Sequence, residues 1–155
     1  MSDCQESDFT ILSAETIPAP WYVKLLSPAT NNSHVRKRGS EILMGRNHET
    51  VEAAWIRRNI DFELVTKVSR IIGKWCEWPN YLFLPDDKCS ILFQDIGCDL
   101  TIVEAMRQIE EEIVPDLNQS VWSKLGSMSY GELIGYIKTA LGDSRQEETK
   151  GTATQ

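Results

Sequence analysis

The chain is predicted to be all-α, a small helical bundle over residues 49–141 preceded by an irregular N-terminal extension. Three observations predict this. Apolar residues recur at three- and four-residue spacing in two long runs, Phe62 to Trp75 and Leu100 to Ile113. Cap-forming residues stand in front of helical runs at Asp61, Asp99 and Ser129. Helix breakers stand behind them at Trp78-Pro79, Pro115, Gly126 and Gly142.

Taken in order, residues 1–48 are the least regular part. Pro18, Pro20 and Pro28 interrupt any helix. Trp21-Tyr22-Val23 reads as a short strand or a packing anchor and Asn31-Asn32-Ser33 as a loop. Val35-Arg36-Lys37-Arg38-Gly39 reads as a basic, solvated loop. Partial disorder is expected there. Order begins near Asn47. Glu49 to Arg58 forms a short helix with Val51, Ala54 and Trp55 on one face. Asn59-Ile60-Asp61 interrupts the chain, with Asp61 capping the next helix.

That helix, Phe62 to Trp75, turns Phe62, Val65, Val68, Ile72 and Trp75 inward. The connection from there to Cys98 is long for a bundle, so it is expected to be structured, with Ile91-Leu92-Phe93 dipping into the core. The following helix, Asp99 to Ile113, carries an inward stripe of Val103, Met106, Ile109 and Ile113. Its outer face carries Glu104, Arg107, Gln108, Glu111 and Glu112. A short helix or turn follows around Gln119 to Leu125, with Gly126 as its C-cap. Ser129 caps a last helix, Tyr130 to Leu141, closed by Gly142, and residues 142–155 are expected to be disordered.

Charge separates the two halves. Residues 1–60 carry seven acids and seven bases, whereas residues 61–141 carry thirteen acids and seven bases. An acidic domain lacks the Lys and Arg that phosphate contacts need, which argues against nucleic acid as a partner. The same field favours a protein partner with a basic surface. Met1-Ser2-Asp3-Cys4 is polar and acidic, unlike a signal peptide, and no apolar run reaches membrane-spanning length. A cytoplasmic monomer is the expectation. Cys4, Cys76, Cys89 and Cys98 form no CxxC pair and the histidines are only His34 and His48, so no metal site is expected.

A family resemblance rests on ordered motifs. Gly97-Cys98-Asp99-Leu100-Thr101-Ile102-Val103-Glu104 runs into Ile109-Glu110-Glu111-Glu112-Ile113, and Ser129-Tyr130 leads to Ile134-Gly135-Tyr136-Ile137. This resembles the acyl carrier proteins, with their Gly-x-Asp-Ser-Leu-x-x-Val-Glu start, acidic ending and closing Ile-x-Tyr-Ile helix. The resemblance covers Phe62 to Leu141 and leaves residues 1–60 unexplained. It implies a four-helix bundle with a long loop between its first and second helices. It also implies a phosphopantetheine-bearing serine at the start of the second helix, where the helix N-terminus favours phosphate.

The sequence departs from the family at that position. Asp99 stands where the serine would be, and Cys98 replaces the preceding Asp. Asp99 has no hydroxyl to modify, and its plain role is a helix cap. Family acids on this helix contact basic partner surfaces. Glu104, Glu110 and Glu111 match such positions, whereas Arg107 replaces an apolar contact. The expectation is a non-enzymatic interaction module without a cofactor, binding partners through Glu104, Arg107, Glu110 and Glu111.

Two alternatives remain open: a genuine phosphopantetheine carrier modified at another residue, and a small enzyme using Cys98 or a carboxylate. No glycine-rich phosphate loop, GxSxG elbow or HExxH helix is present. Asp86 and Asp87 follow Pro85 in the pattern of a turn or cap. Glu110, Glu111 and Glu112 point in different directions around a helix, so no catalytic carboxylate pair is expected.

Overall fold

Proline at the first position of a helix costs nothing, because that N–H has no helical acceptor. The chain uses this at Pro28, where its longest early helix begins. In the computed structural model, which describes residues 10–14, 16–17, 28–93, 100–115, 117 and 119–151, the described elements are helical. They are α1 (Pro28–Met44), α2 (His48–Arg57), α3 (Phe62–Trp75), the one-turn α4 (Cys89–Leu92), α5 (Leu100–Glu112), the short α6 (Gln119–Ser123) and α7 (Tyr130–Gly151). A 3-10 turn, Leu125–Ser127, joins α6 to α7.

The loops expected at Asn31-Asn32-Ser33 and at the basic run Val35–Gly39 are corrected by α1, which takes both into one helix. Its inward stripe is Val35, Gly39, Ile42 and Leu43, all buried. A glycine and flanking charges dilute that stripe, which hides it from a periodicity reading. Gly39 is there for close approach: a Cβ on it would lie 3.0 Å from the Trp78 ring. Arg36 lays its guanidinium 4.9 Å over the same ring and donates to the carbonyl of Cys76 at 2.5 Å, at the end of α3. Residues Trp21 to Val23 lie outside the described residues.

α2 and α3 follow the expected pattern. Asn47 and Asp61 cap them by accepting from the N–H of Glu49 and Glu63, at 2.8 and 3.0 Å. Val65, Val68, Ile71 and Ile72 are buried along α3, with Phe62 and Trp75 half-buried at its ends. α3 packs along α5. The inward stripe of α5 is rotated from the expected one. Ala105 and Ile109 are buried, Ile102, Met106 and Ile113 are half-buried, and Val103 is 55% exposed.

The long connection after α3 is packed as far as Phe93. Cys89, Ile91, Leu92 and Phe93 are buried, and the Trp78 indole N–H donates to the Leu92 carbonyl at 2.8 Å. Gly126 lies inside the 3-10 turn instead of closing a helix. α7 continues through Gly142 to Gly151 where a disordered tail was expected. Nothing lies within 4 Å of a Cβ at Gly142, and Arg145, Gln146, Glu147, Glu148 and Lys150 are good helix formers, so polarity alone is no stop signal.

Candidate interaction surface

The polar centre of the molecule is assembled before any surface is. Asp87 is fully buried, and so is Arg46, with zero side-chain exposure for both. Two charges leave water only if their hydrogen bonds are replaced. Arg46 donates through Nη1 to Asp87 Oδ2 at 2.6 Å and through Nη2 to Oδ1 at 2.7 Å. The same nitrogens donate to the carbonyls of Leu82 and Thr10, each at 2.8 Å. Asp87 also accepts from the N–H groups of Leu12 and Leu84, at 2.8 and 2.7 Å. Burial pushes the Asp87 carboxyl above the usual carboxylate range, against the Arg46 guanidinium and those two N–H groups, which lower it.

This knot ties three parts of the chain together. Residues 10–14 and 16–17 belong to a strap, with Leu12 and Ile17 buried, and the Lys88 N–H donates to the Leu12 carbonyl at 2.9 Å. The carbonyls of Asp87 and Pro85 accept the N–H groups of Tyr130 and Gly131, each at 2.7 Å, satisfying the first turn of α7. Ser129 and Glu132 complete that end as a reciprocal capping box, at 2.7 and 3.3 Å. The Tyr130 hydroxyl meets Ser69 Oγ at 2.7 Å, and its ring stands edge-on to Trp55 and Phe83. With every Asp87 oxygen engaged and no solvent access, the Asp86–Asp87 pair is a structural turn.

Thiol chemistry is also closed off among the described cysteines. Cys76 and Cys89 are buried, and burial pushes the Cys89 thiol up to about 12, aided by the charges of Glu132 and Asp87. Asp99, the position matching the carrier serine, lies outside the described residues, as does Cys98.

The expected partner-binding residues separate into two groups on α5. Glu104, Arg107 and Glu111 share one outward stripe. Arg107 donates through Nη2 to Glu104 at 2.9 Å and through Nη1 to Glu111, one turn on either side. The Glu104 hydrogen bond and charge, followed by Glu111, raise the basicity of Arg107. Glu110 is not with them. It accepts from the Trp122 indole at 2.9 Å, while Gln108 accepts from the Trp75 indole at 2.6 Å. These two indoles tie α5 to α6 and α3 on its flanks.

Val103 sits one turn before Arg107 on the open stripe. Periodicity assigned it to the core because valine spacing cannot distinguish adjacent helix faces; the alanine at position 105 gave no competing signal. A cleft of about 570 Å³ opens where α3, α5 and α7 meet, floored by Leu64, Ile113 and Leu141. Its lysines are already engaged, Lys67 with Glu63 and Lys138 with the Asn59 carbonyl, each at 3.0 Å.

No family model, curated protein or solved structure matches this chain. Among the described residues, no helix is long and apolar enough to cross a membrane, and no group of three or more His, Cys, Asp or Glu side chains is placed to hold a metal ion.

Proposed function

We propose that this chain is a non-enzymatic protein-interaction module on a carrier-like four-helix scaffold, working without a prosthetic group as a cytoplasmic monomer. The supporting order is α3, a long packed connection, α5, the short α6 and α7. The observation that carries the reading is Val103, an aliphatic side chain 55% exposed on the open face of α5 that also carries Glu104, Arg107 and Glu111. An exposed apolar residue on a charged helix face gives a partner both an anchor and a register. The net charge of residues 61–141 favours a basic partner surface.

Glu110 leaves the contact set in this reading, because Trp122 holds it. Arg107 partly neutralises Glu104 and Glu111, so docking requires the partner to compete for these carboxylates or to bind around them. A peptide alternating lysine and leucine, titrated into isotope-labelled protein, is expected to shift the resonances of Val103, Glu104, Arg107 and Glu111 to saturation. Val103→Asp should abolish the response. Scattered shifts that do not saturate would sink the docking surface. Incubation with coenzyme A and a broad phosphopantetheinyl transferase should leave the mass unchanged; addition of one phosphopantetheine at any residue would establish the carrier alternative instead.

A further inference from the structure

Away from α5, a cleft of about 320 Å³ opens at the end of α2. Its floor is apolar: Ile11 from the strap, Ala54 from α2 and the Leu84–Pro85 turn. Arg57, Arg58 and Asp86 stand on its rim. Arg58 is paired with Asp86 at 2.5 Å. Arg57 is exposed and has no hydrogen-bond or ion-pair partner among the described residues.

Arg57 stands in the last turn of α2, where a cation suits the helix dipole, but the backbone carries the hydrogen bonds that end the helix. The backbone N–H groups of Arg58 and Ile60 take the Trp55 carbonyl, at 3.0 and 3.3 Å, and that of Asn59 takes the Ile56 carbonyl at 2.9 Å. Asn59 closes the helix in the left-handed region, φ 56°. The carbonyls of Trp55 and Ile56 are therefore satisfied by backbone, and Arg57 lines the cleft beside its apolar floor. The volume sits at the small end of ligand pockets, which suits a group of a few carbons.

We propose that this cleft binds a carboxylate carried on a short aliphatic group. The methylenes lie on Ile11, Leu84 and Pro85, and the carboxylate meets Arg57. Asp86 opposes binding by holding Arg58. Charge complementarity selects the anion: the nearest basic side chains on the rim face a floor with no competing acid except Asp86. Because Ile11 is one wall, the cleft exists only while the strap is held by the Arg46–Asp87 knot. This site is independent of the α5 surface.

The test is a titration of isotope-labelled full-length protein with hexanoate, with an N-acetylated pentapeptide ending in a free leucine carboxylate, and with neutral hexanamide. Saturable shifts at Ala54, Arg57, Arg58 and Asp86 are expected with an acid and not with the amide. A response to the peptide assigns the carboxylate to a protein C-terminus; a response to hexanoate alone assigns it to a free acid. Arg57→Ala is expected to weaken binding about fivefold, the loss of one solvent-screened charged contact. Asp86→Asn is expected to tighten it about threefold by releasing Arg58. Both positions are exposed, so neither substitution threatens the fold. No saturable shift with either acid, equal binding of hexanamide, or unchanged affinity in Arg57→Ala overturns the proposal.

Discussion

Two arginines in this molecule hold carboxylates in both arms, and their surroundings are opposite. Arg46 grips Asp87 in the interior, 41 residues away in sequence, and the pair has no solvent contact. Arg107 bridges Glu104 and Glu111 on the open face of α5, three and four residues away. The interior pair is surrounded by backbone: Thr10, Leu12, Leu82 and Leu84 all bond to it. The surface group of Arg107, Glu104 and Glu111 bonds to nothing outside its own helix among the described residues. The first therefore organises tertiary structure, and the second is free to change partners. The same chemistry is structural where water is excluded and available for recognition where water competes.

That contrast can be broken at several points. Asp87→Ala should have the largest effect, because it leaves a buried guanidinium uncompensated and frees the strap. A loss of about 3–5 kcal/mol in urea unfolding is expected. A loss no larger than that of an exposed pair would mean that water reaches Arg46.

Gly131→Ala probes the same knot from α7. Its Cβ would lie 3.0 Å from the Pro85 carbonyl oxygen, which also accepts the Gly131 N–H. The alanine gains helix propensity, so the net cost is about 1 kcal/mol. A stabilised variant would show that the turn can yield.

Alkaline pH tests the interior without mutation. Cys89 is raised from 9.0 to about 12, and burial also raises Tyr130 from 10.0. Both groups lose protons first in the unfolded chain, so stability is full below about pH 9 and falls as pH rises toward 12. The expected slope is on the order of 1 kcal/mol per pH unit while Cys89 alone contributes and roughly twice that once Tyr130 contributes as well. Unfolding midpoints measured between these limits check the sign, and a flat profile would refute the burial of these two groups. Arg107→Ala should have the smallest effect, with no measurable change in the unfolding midpoint. A clear loss would mean that this ion network has a structural role.

Some elements were legible because their signals are local. α3 has an unbroken stripe, an aspartate cap and a Trp-Pro stop, and its ends fall at Phe62 and Trp75 as expected. The capping box at Ser129 likewise needs only a serine and a glutamate three residues on. α1 was not legible, because its contact face includes Gly39 and Arg36, which read as loop residues until Trp78 is placed against them. Of the candidate site, Glu104, Arg107 and Glu111 were readable from spacing. Val103 was assigned to the core, and Glu110 to the open face, because helical spacing leaves the rotation of α5 unspecified.

By itself the sequence determined the all-helical character of the described elements, the caps of α3 and α7, and the acidic balance of the C-terminal half. These depend on interactions within a turn or two of chain, or on composition. Only the tertiary structure decided that Asp87 meets Arg46, that the strap and α1 belong to the packed domain, and which face of α5 looks outward. Each of those depends on residues far apart in sequence, where burial removes water and leaves one geometry in which both Asp87 oxygens and both terminal Arg46 nitrogens find partners, only Arg46 Nε remaining without one.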